Sequence, residues 1–268
     1  MIEVVDLGVR YGTIEAVAGI SFRVEPGQIC GYLGPNGAGK SSTVKALAGL
    51  LRPETGTLRI AGYDLAGARL DAQRRLGYVP ESAALYPVLT GAEMLDLVVE
   101  LYELPRDAAA AKSSFLLERF DLAAVAHRPI STYSKGQRQK IALLSALLHE
   151  PEVLLLDEPL TGLDANAVRA VKELLLGLAA TGCTILFCSH YLEVVERLCE
   201  RVIILHRGRI VADAPTAELV SLSQGRTLEA VFAELTEAPQ GDDGSPGSLG
   251  DMADVIRALR PPAAAEPG

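Results

Sequence analysis

The 268-residue chain predicts an α/β fold built on a largely parallel sheet with crossover helices. Two observations predict it. Short apolar runs recur at residues 28–33, 75–79, 152–157, 183–188 and 201–205, separated by longer stretches of helical spacing. Between the first run and the helix after it stands Gly34-Pro35-Asn36-Gly37-Ala38-Gly39-Lys40-Ser41, a full match to G-x-x-x-x-G-K-[ST].

The earliest elements read as an antiparallel edge. Ile2 to Val9 and Ile20 to Val24 alternate as strands, and Leu58 to Ala61 forms another short strand after a Pro53-Glu54-Thr55-Gly56 turn. Gln28-Ile29-Cys30-Gly31-Tyr32-Leu33 is apolar enough to be buried, and Ser42 to Ala48 has helical composition. Strand, glycine loop and helix are the context a phosphate-binding loop requires. Its glycines let backbone N–H groups close around phosphate oxygens, and the new helix points its positive end at the same place. Lys40 can then reach the β- and γ-phosphates, and the Ser41 hydroxyl can ligate Mg²⁺. Gly34 through Ser42 are therefore the expected nucleotide-binding residues of a P-loop NTPase core.

Between about 86 and 150 the strand signal disappears. Gly91 to Glu103, Asp107 to Phe120 and Gly136 to His149 read as helices, so a helical subdomain is expected to be inserted in the α/β body. Residues 1–236 should form the nucleotide-binding domain, and 237–268 a flexible acidic linker and tail. Ala238 to Gly247 has no core-forming residues. Asp251 to Leu259 places Met252, Val255, Ile256 and Leu259 on one helical face before Pro261 ends the pattern.

Composition narrows the function. Hydrophobic residues make up 49%, yet no apolar run approaches the roughly 20 residues that cross a bilayer. Met1-Ile2-Glu3-Val4-Val5-Asp6 lacks the basic and apolar regions of a secretion signal, so a cytoplasmic location is expected. The net charge of −9 argues against nucleic acid as a partner. Cys30, Cys183, Cys188 and Cys199 form no C-x-x-C pair and should be buried, reduced thiols.

A second run completes the site. Val153-Leu154-Leu155-Leu156-Asp157-Glu158-Pro159 describes a buried strand delivering two acids to its C-terminal end, where ligands bind in such sheets. Asp157 is placed to hold Mg²⁺ and Glu158 to polarise the attacking water as general base.

Tyr133-Ser134-Lys135-Gly136-Gln137-Arg138-Gln139-Lys140, 23 residues before Asp157, resembles the signature motif of ATP-binding-cassette (ABC) ATPases. Thr161-Gly162-Leu163-Asp164 is similar to that family's D-loop. His190, 32 residues beyond Glu158, matches its switch histidine, and Tyr11 lies where an aromatic residue stacks on adenine. The resemblance covers about residues 1–235. It implies that two such domains pair head to tail, as a homodimer or with a similar ATPase, and enclose two ATP molecules. The phosphate loop of one protomer would face Ser134, Gly136 and Gln137 of the other, with Gly136 opening the helix. Asp164 would link the two sites, and His190 would hydrogen-bond the γ-phosphate and water. His127, His149 and His206 have no motif around them and are read as structural.

Two positions depart from the family pattern. Lys135 stands where glycine is commoner, and Glu81 where most relatives carry a glutamine that ligates Mg²⁺. Glu81 with Tyr86-Pro87 resembles the exporter-type subgroup, which works with a separate six-helix membrane permease. Ala83, Ala84, Leu85, Tyr86, Pro87 and Leu89 would offer that permease an apolar docking strip. The expected function is ATP hydrolysis that drives export by closure of the dimer, from the inner face of the cell membrane. An importer subunit is the alternative, though many sugar importers append a regulatory domain larger than this tail. A soluble ABC ATPase acting on ribosomes or nucleic acid is another, disfavoured by the single cassette, the lack of heptads and the acidic charge. A small-molecule kinase would leave the signature and D-loop unexplained.

Overall fold

The computed structural model describes residues 1–222 and 227–237. In chain order they form β1 (Ile2–Tyr11), β2 (Ile14–Val24), β3 (Ile29–Leu33), α1 (Lys40–Leu47), β4 (Thr55–Ile60), β5 (Tyr63–Asp64), α2 (Arg69–Arg74) and β6 (Leu76–Val79). Helices α3 (Gly91–Leu101), α4 (Arg106–Arg119) and α5 (Lys135–Leu147) follow before β7 (Val153–Asp157). The chain continues through α6 (Ala165–Ala180), β8 (Thr184–Cys188), α7 (Leu192–Leu198), β9 (Arg201–His206), β10 (Arg209–Pro215), α8 (Thr216–Leu222) and α9 (Leu228–Glu237).

The five apolar runs become the parallel strands of one sheet, in the order β10-β9-β3-β8-β7-β6, with only β10 antiparallel at its edge. A second, antiparallel sheet runs β2-β1-β4-β5. Parallel strands covered on both faces read as unbroken apolar runs, and alternate side chains explain why. Leu154, Leu156, Ile185, Phe187, Val202 and Ile204 enter the core under the helices between β6 and β7. Their neighbours Val153, Leu155, Leu186, Cys188, Ile203 and Leu205 pack on the opposite face, with α1 and the antiparallel sheet. The expected α/β class with an antiparallel edge is what the chain adopts.

Boundaries moved where the local signal was weak. β2 starts at Ile14 rather than Ile20, because Gly19 (φ 67°) and the irregular pairing of β1 and β2 around Asp6 (φ 50°) break the alternation. α2 has no counterpart in the sequence reading, since it buries only Ala72 and leaves Leu70 exposed. Nor has β10, which follows β9 through Arg207 (φ 47°) and Gly208 (φ 75°), the two positive φ angles of a tight hairpin turn. α3 stops at Leu101 instead of Glu103, because Glu103 takes a left-handed conformation (φ 54°) just beyond it. α5 begins at Lys135, one residue before the expected Gly136. Ser134 Oγ accepts the Gln137 N–H and Gln137 Oε1 accepts the Ser134 N–H, a capping box that sets the start of the helix.

All four cysteines are free and buried. His149 fits its structural reading. Nε2 donates to the Leu76 carbonyl at 3.2 Å, the ring stacks on Tyr102 at 3.9 Å, and burial pushes its pKa down to about 4. No helix among the described residues is long and apolar enough to cross a membrane. The expected linker from Ala238 and the helix at Asp251–Leu259 lie outside the described residues.

The contact between β6 and α5 is close enough to require glycine. A Cβ on Gly77 would stand 2.4 Å from the Ala146 carbonyl oxygen and 2.8 Å from Leu154 Cδ1. Gly77→Ala should therefore destabilise the fold by about 1–3 kcal/mol through overpacking, read as a lower urea midpoint. An unchanged midpoint would show that α5 can retreat without cost.

Candidate functional site

β3, β8 and β7 lie side by side, so the loops leaving their C-terminal ends meet. The loop after β3 is the glycine run. Gly39 has φ 106°, and a Cβ there would fall 2.4 Å from the Ala16 carbonyl, so no other residue fits without moving β2. The loop is tied to the strand beneath it by a short chain of bonds. Tyr32 donates to Thr43 Oγ1 at 3.1 Å, and Thr43 donates to the Gly39 carbonyl at 3.1 Å. Lys40 opens α1 and curls its ammonium inside the loop, donating to the Gly34 and Pro35 carbonyls at 2.5 and 3.1 Å. Asn36, Gly37 and Ser41 remain exposed, while Ala38 is buried. The result is an open cradle of backbone and one positive charge at the start of a helix, which is anion-binding geometry.

β7 delivers Asp157 to the same end, where it is buried and lies opposite Cys188 of β8. Burial raises its pKa to about 6, with further upward pushes from Glu81 and Glu158 against the pull of Lys40 and Lys45. Glu81 itself is exposed. Three carboxylates against Lys40 and Lys45 leave negative charge in excess, which suits a cation. Among the described residues no group of three or more His, Cys, Asp or Glu could enclose a metal. Mg²⁺ takes one or two protein ligands and completes its shell with water and phosphate oxygens. Ser41, Asp157 and Glu81 are the residues expected to hold such an ion, and of these Glu81 acts on the Asp157 carboxylate.

Glu158 adopts φ 52° as the chain leaves β7, and its N–H donates to the Cys188 carbonyl at 2.9 Å. This bend turns the carboxylate toward the loop after β8. Oε2 meets His190 Nδ1 at 2.7 Å and accepts the His190 N–H at 3.3 Å and the Ser189 hydroxyl at 3.4 Å. Every one of these contacts falls on a single oxygen, and among the described residues Oε1 takes no hydrogen bond. The Glu158 side chain is 12% exposed and that of His190 62%. A carboxylate held through one oxygen and open at the other can accept a proton from water. Ser189 was missed by the sequence reading, although it immediately precedes the histidine.

Other expected site residues sit apart. Tyr11 ends β1, is 47% exposed, and its hydroxyl accepts from Ser42 Oγ at 3.4 Å, which sets its ring beside the first turn of α1. Ser134, Gly136 and Gln137 make no hydrogen bond to the phosphate loop and instead form the N-terminus of α5. There a Cβ on Gly136 would lie 2.6 Å from the Gly162 carbonyl, so the signature and the D-loop are packed directly together. Asp164 caps α6, accepting the Ala167 N–H at 2.9 Å, and that bond lowers its pKa. The apolar strip after β6 divides. Ala83, Leu85 and Leu89 pack against the core, whereas Ala84, Tyr86 and Pro87 are exposed, as is Val88 between Pro87 and Leu89.

The profile of the ABC transporter family matches residues 17–161. The chain is 37% identical over 225 residues to the daunorubicin resistance ATP-binding protein DrrA3 of Streptomyces coeruleorubidus, covering 84% of this chain and 71% of that protein. It is also 37% identical to the Nod factor export ATP-binding protein I of Ralstonia nicotianae, covering 85% and 76%. Among solved structures, an ATP-binding subunit of an ABC transporter superposes with a TM-score of 0.83 at 34% identity, covering 88% of this chain and 99% of that one.

The state of Asp157 gives a measurable pH dependence in the nucleotide- and metal-free protein. Its folded pKa of about 6 lies above the ordinary 3.8, so ionisation works against folding. The penalty is absent below the unfolded value, grows between the two and is complete above the folded one. Asp157→Asn should be more stable than wild type above pH 6, by roughly 2–3 kcal/mol, and the advantage should vanish as pH falls below 4 in thermal unfolding scans. A constant difference across that window would contradict the assignment.

Proposed function

The chain belongs to the ABC transporter family, and on that premise we propose that it is the ATP-hydrolysing subunit of an exporter that works with a separate membrane permease. The observation that carries the hydrolytic reading is the meeting of Lys40, Asp157, Glu158 and His190 at the ends of three adjacent strands. Gly34 to Ser42 bind the triphosphate and Tyr11 stacks on the adenine. Glu158 takes the proton of the attacking water at Oε1 while Oε2 stays tied to Ser189 and His190. Lys40 neutralises charge that develops on the phosphate oxygens as the terminal phosphoryl group leaves. Mg²⁺ held by Ser41 and Asp157, with Glu81 at its edge, would supply further charge neutralisation.

Two copies close on two nucleotides. Ser134, Gly136 and Gln137 bring the N-terminus of α5 to the partner's triphosphate, and Asp164 follows because the D-loop is packed on the signature. ATP thus holds together a dimer that its hydrolysis releases, which converts binding energy into movement. A homodimer is the simplest assembly. The permease docks at a cavity of about 350 Å³ between the β6 side of the sheet and helices α3 and α5, lined by Leu50, Tyr78, Leu85, Val98 and Tyr102. Tyr86 and Val88 project beside it. Docked there, the chain would lie against the inner face of the membrane. The direction is export, supported by Glu81 with Tyr86-Pro87 and by relatives that are named for drug resistance and Nod factor export.

The deciding experiment is ATP hydrolysis by the purified chain, with and without a co-purified membrane subunit, and with Glu158→Gln as control. Stimulation by the membrane protein is expected. Glu158→Gln should lose about 10²–10⁴ in turnover while still binding ATP, and should elute as a stable dimer in its presence. Turnover indifferent to the membrane protein would remove the transport role, and wild-type rates in the mutant would remove Glu158 from proton abstraction. Glu81→Gln should keep turnover but shift its Mg²⁺ and pH dependence, because one of the three clustered negative charges is gone. Complete loss of hydrolysis would mean that the charge itself is required.

A further inference from the structure

Beside the Glu158–His190 pair lies an aromatic side chain to which the family motifs give no role. β8 ends at Cys188, and only Ser189, His190 and Tyr191 precede α7. Ser189 is buried, and its hydroxyl accepts the Tyr191 N–H at 3.2 Å while donating to Glu158 Oε2 at 3.4 Å. His190 reaches the same carboxylate by one ring edge, with Nδ1 2.7 Å from Oε2. The face of its imidazole is covered by Tyr191. The ring centroids are 4.1 Å apart and the planes differ by 36°.

A side chain that is 62% exposed turns freely unless its contacts stop it. One hydrogen bond fixes a single ring atom and leaves the imidazole able to swing about that point. The tyrosine face blocks the swing toward it, because tilting that way would drive the imidazole into the second ring. A carboxylate only accepts, so Nδ1 carries the hydrogen and Nε2 lies on the opposite edge. That edge is the one left to meet a phosphate oxygen or the attacking water.

We propose that Tyr191 is a positioning residue for hydrolysis, its ring holding the His190 imidazole in the orientation and tautomer that the Glu158 contact selects. The proposal rests on the ATPase reading and adds a group that acts through His190. Tyr191 is 44% exposed, so replacing it leaves the core intact.

The test compares Tyr191→Leu with Tyr191→Phe, each also made in a His190→Ala background. Tyr191→Leu should lower kcat about tenfold with KM for ATP within about twofold, since lost orientation costs turnover and not binding. Tyr191→Phe keeps the flat ring and should restore turnover to the wild-type level. In the His190→Ala background Tyr191→Leu should cost nothing more, because the two act as one unit. Imidazole-nitrogen NMR of the nucleotide-free protein gives a readout independent of turnover. It should show His190 as the Nδ1–H tautomer in wild type and Tyr191→Phe, and as a mixture in Tyr191→Leu. Wild-type kcat with an unmoved tautomer in Tyr191→Leu would overturn the proposal, as would an equal loss in the His190→Ala background. Absence of hydrolysis by the wild-type chain would sink the ATPase reading instead, and the NMR comparison would still decide the role of Tyr191.

Discussion

The site depends on the in-register pairing of β7 with β8. Asp157 stands opposite Cys188, and one residue later the Glu158 N–H closes onto the Cys188 carbonyl. That register places one acid in the wall of the site and bends the next toward Ser189 and His190. A shift of one residue would exchange the two faces of β7, burying Leu155 where Leu156 now packs, putting Leu156 in the wall where Asp157 stands and carrying Glu158 past the bend that faces Ser189 and His190. The apolar runs on either side therefore do more than fill a core. Their alternate side chains, anchored in clusters on both faces, hold the carboxylates in position.

Electrostatics sets a second condition. Asp157, Glu81 and Glu158 oppose one another, and of the two lysines that offset them, Lys40 is bound to its own loop carbonyls. The protein alone holds this arrangement at a cost, visible in the raised Asp157 pKa. A cation would relieve the carboxylates, and a triphosphate would offer Lys40 better acceptors than two carbonyl oxygens. Each would arrive with the charge the other lacks, so the two would favour each other's binding.

Much of this was legible in the sequence, and the boundary between what was and was not has a physical cause. The phosphate loop and the β7 acids are contiguous, and their chemistry follows from local order along the chain. The apolar strands were readable because both of their faces are buried. α2 escaped because burying one alanine leaves no stripe. β2 was read short because bulges interrupt its period. The glycine at 136 was read as part of a phosphate contact, yet within the chain its lack of a side chain admits the Gly162 carbonyl. Ser189 went unread because its role depends on Glu158, 31 residues distant in sequence and joined to it only in the fold.

The four cysteines have a practical consequence. All are buried and free, and burial pushes the thiol of Cys30 up to about 12 and that of Cys183 to about 11, with Cys188 and Cys199 raised as well. Thiol reagents attack the thiolate, which these groups hardly form at neutral pH. The native chain should thus react slowly with such reagents while folded. One cysteine introduced on the exposed surface becomes its unique handle, so a spectroscopic reporter of closure can be attached without stripping the core of its own sulfur atoms.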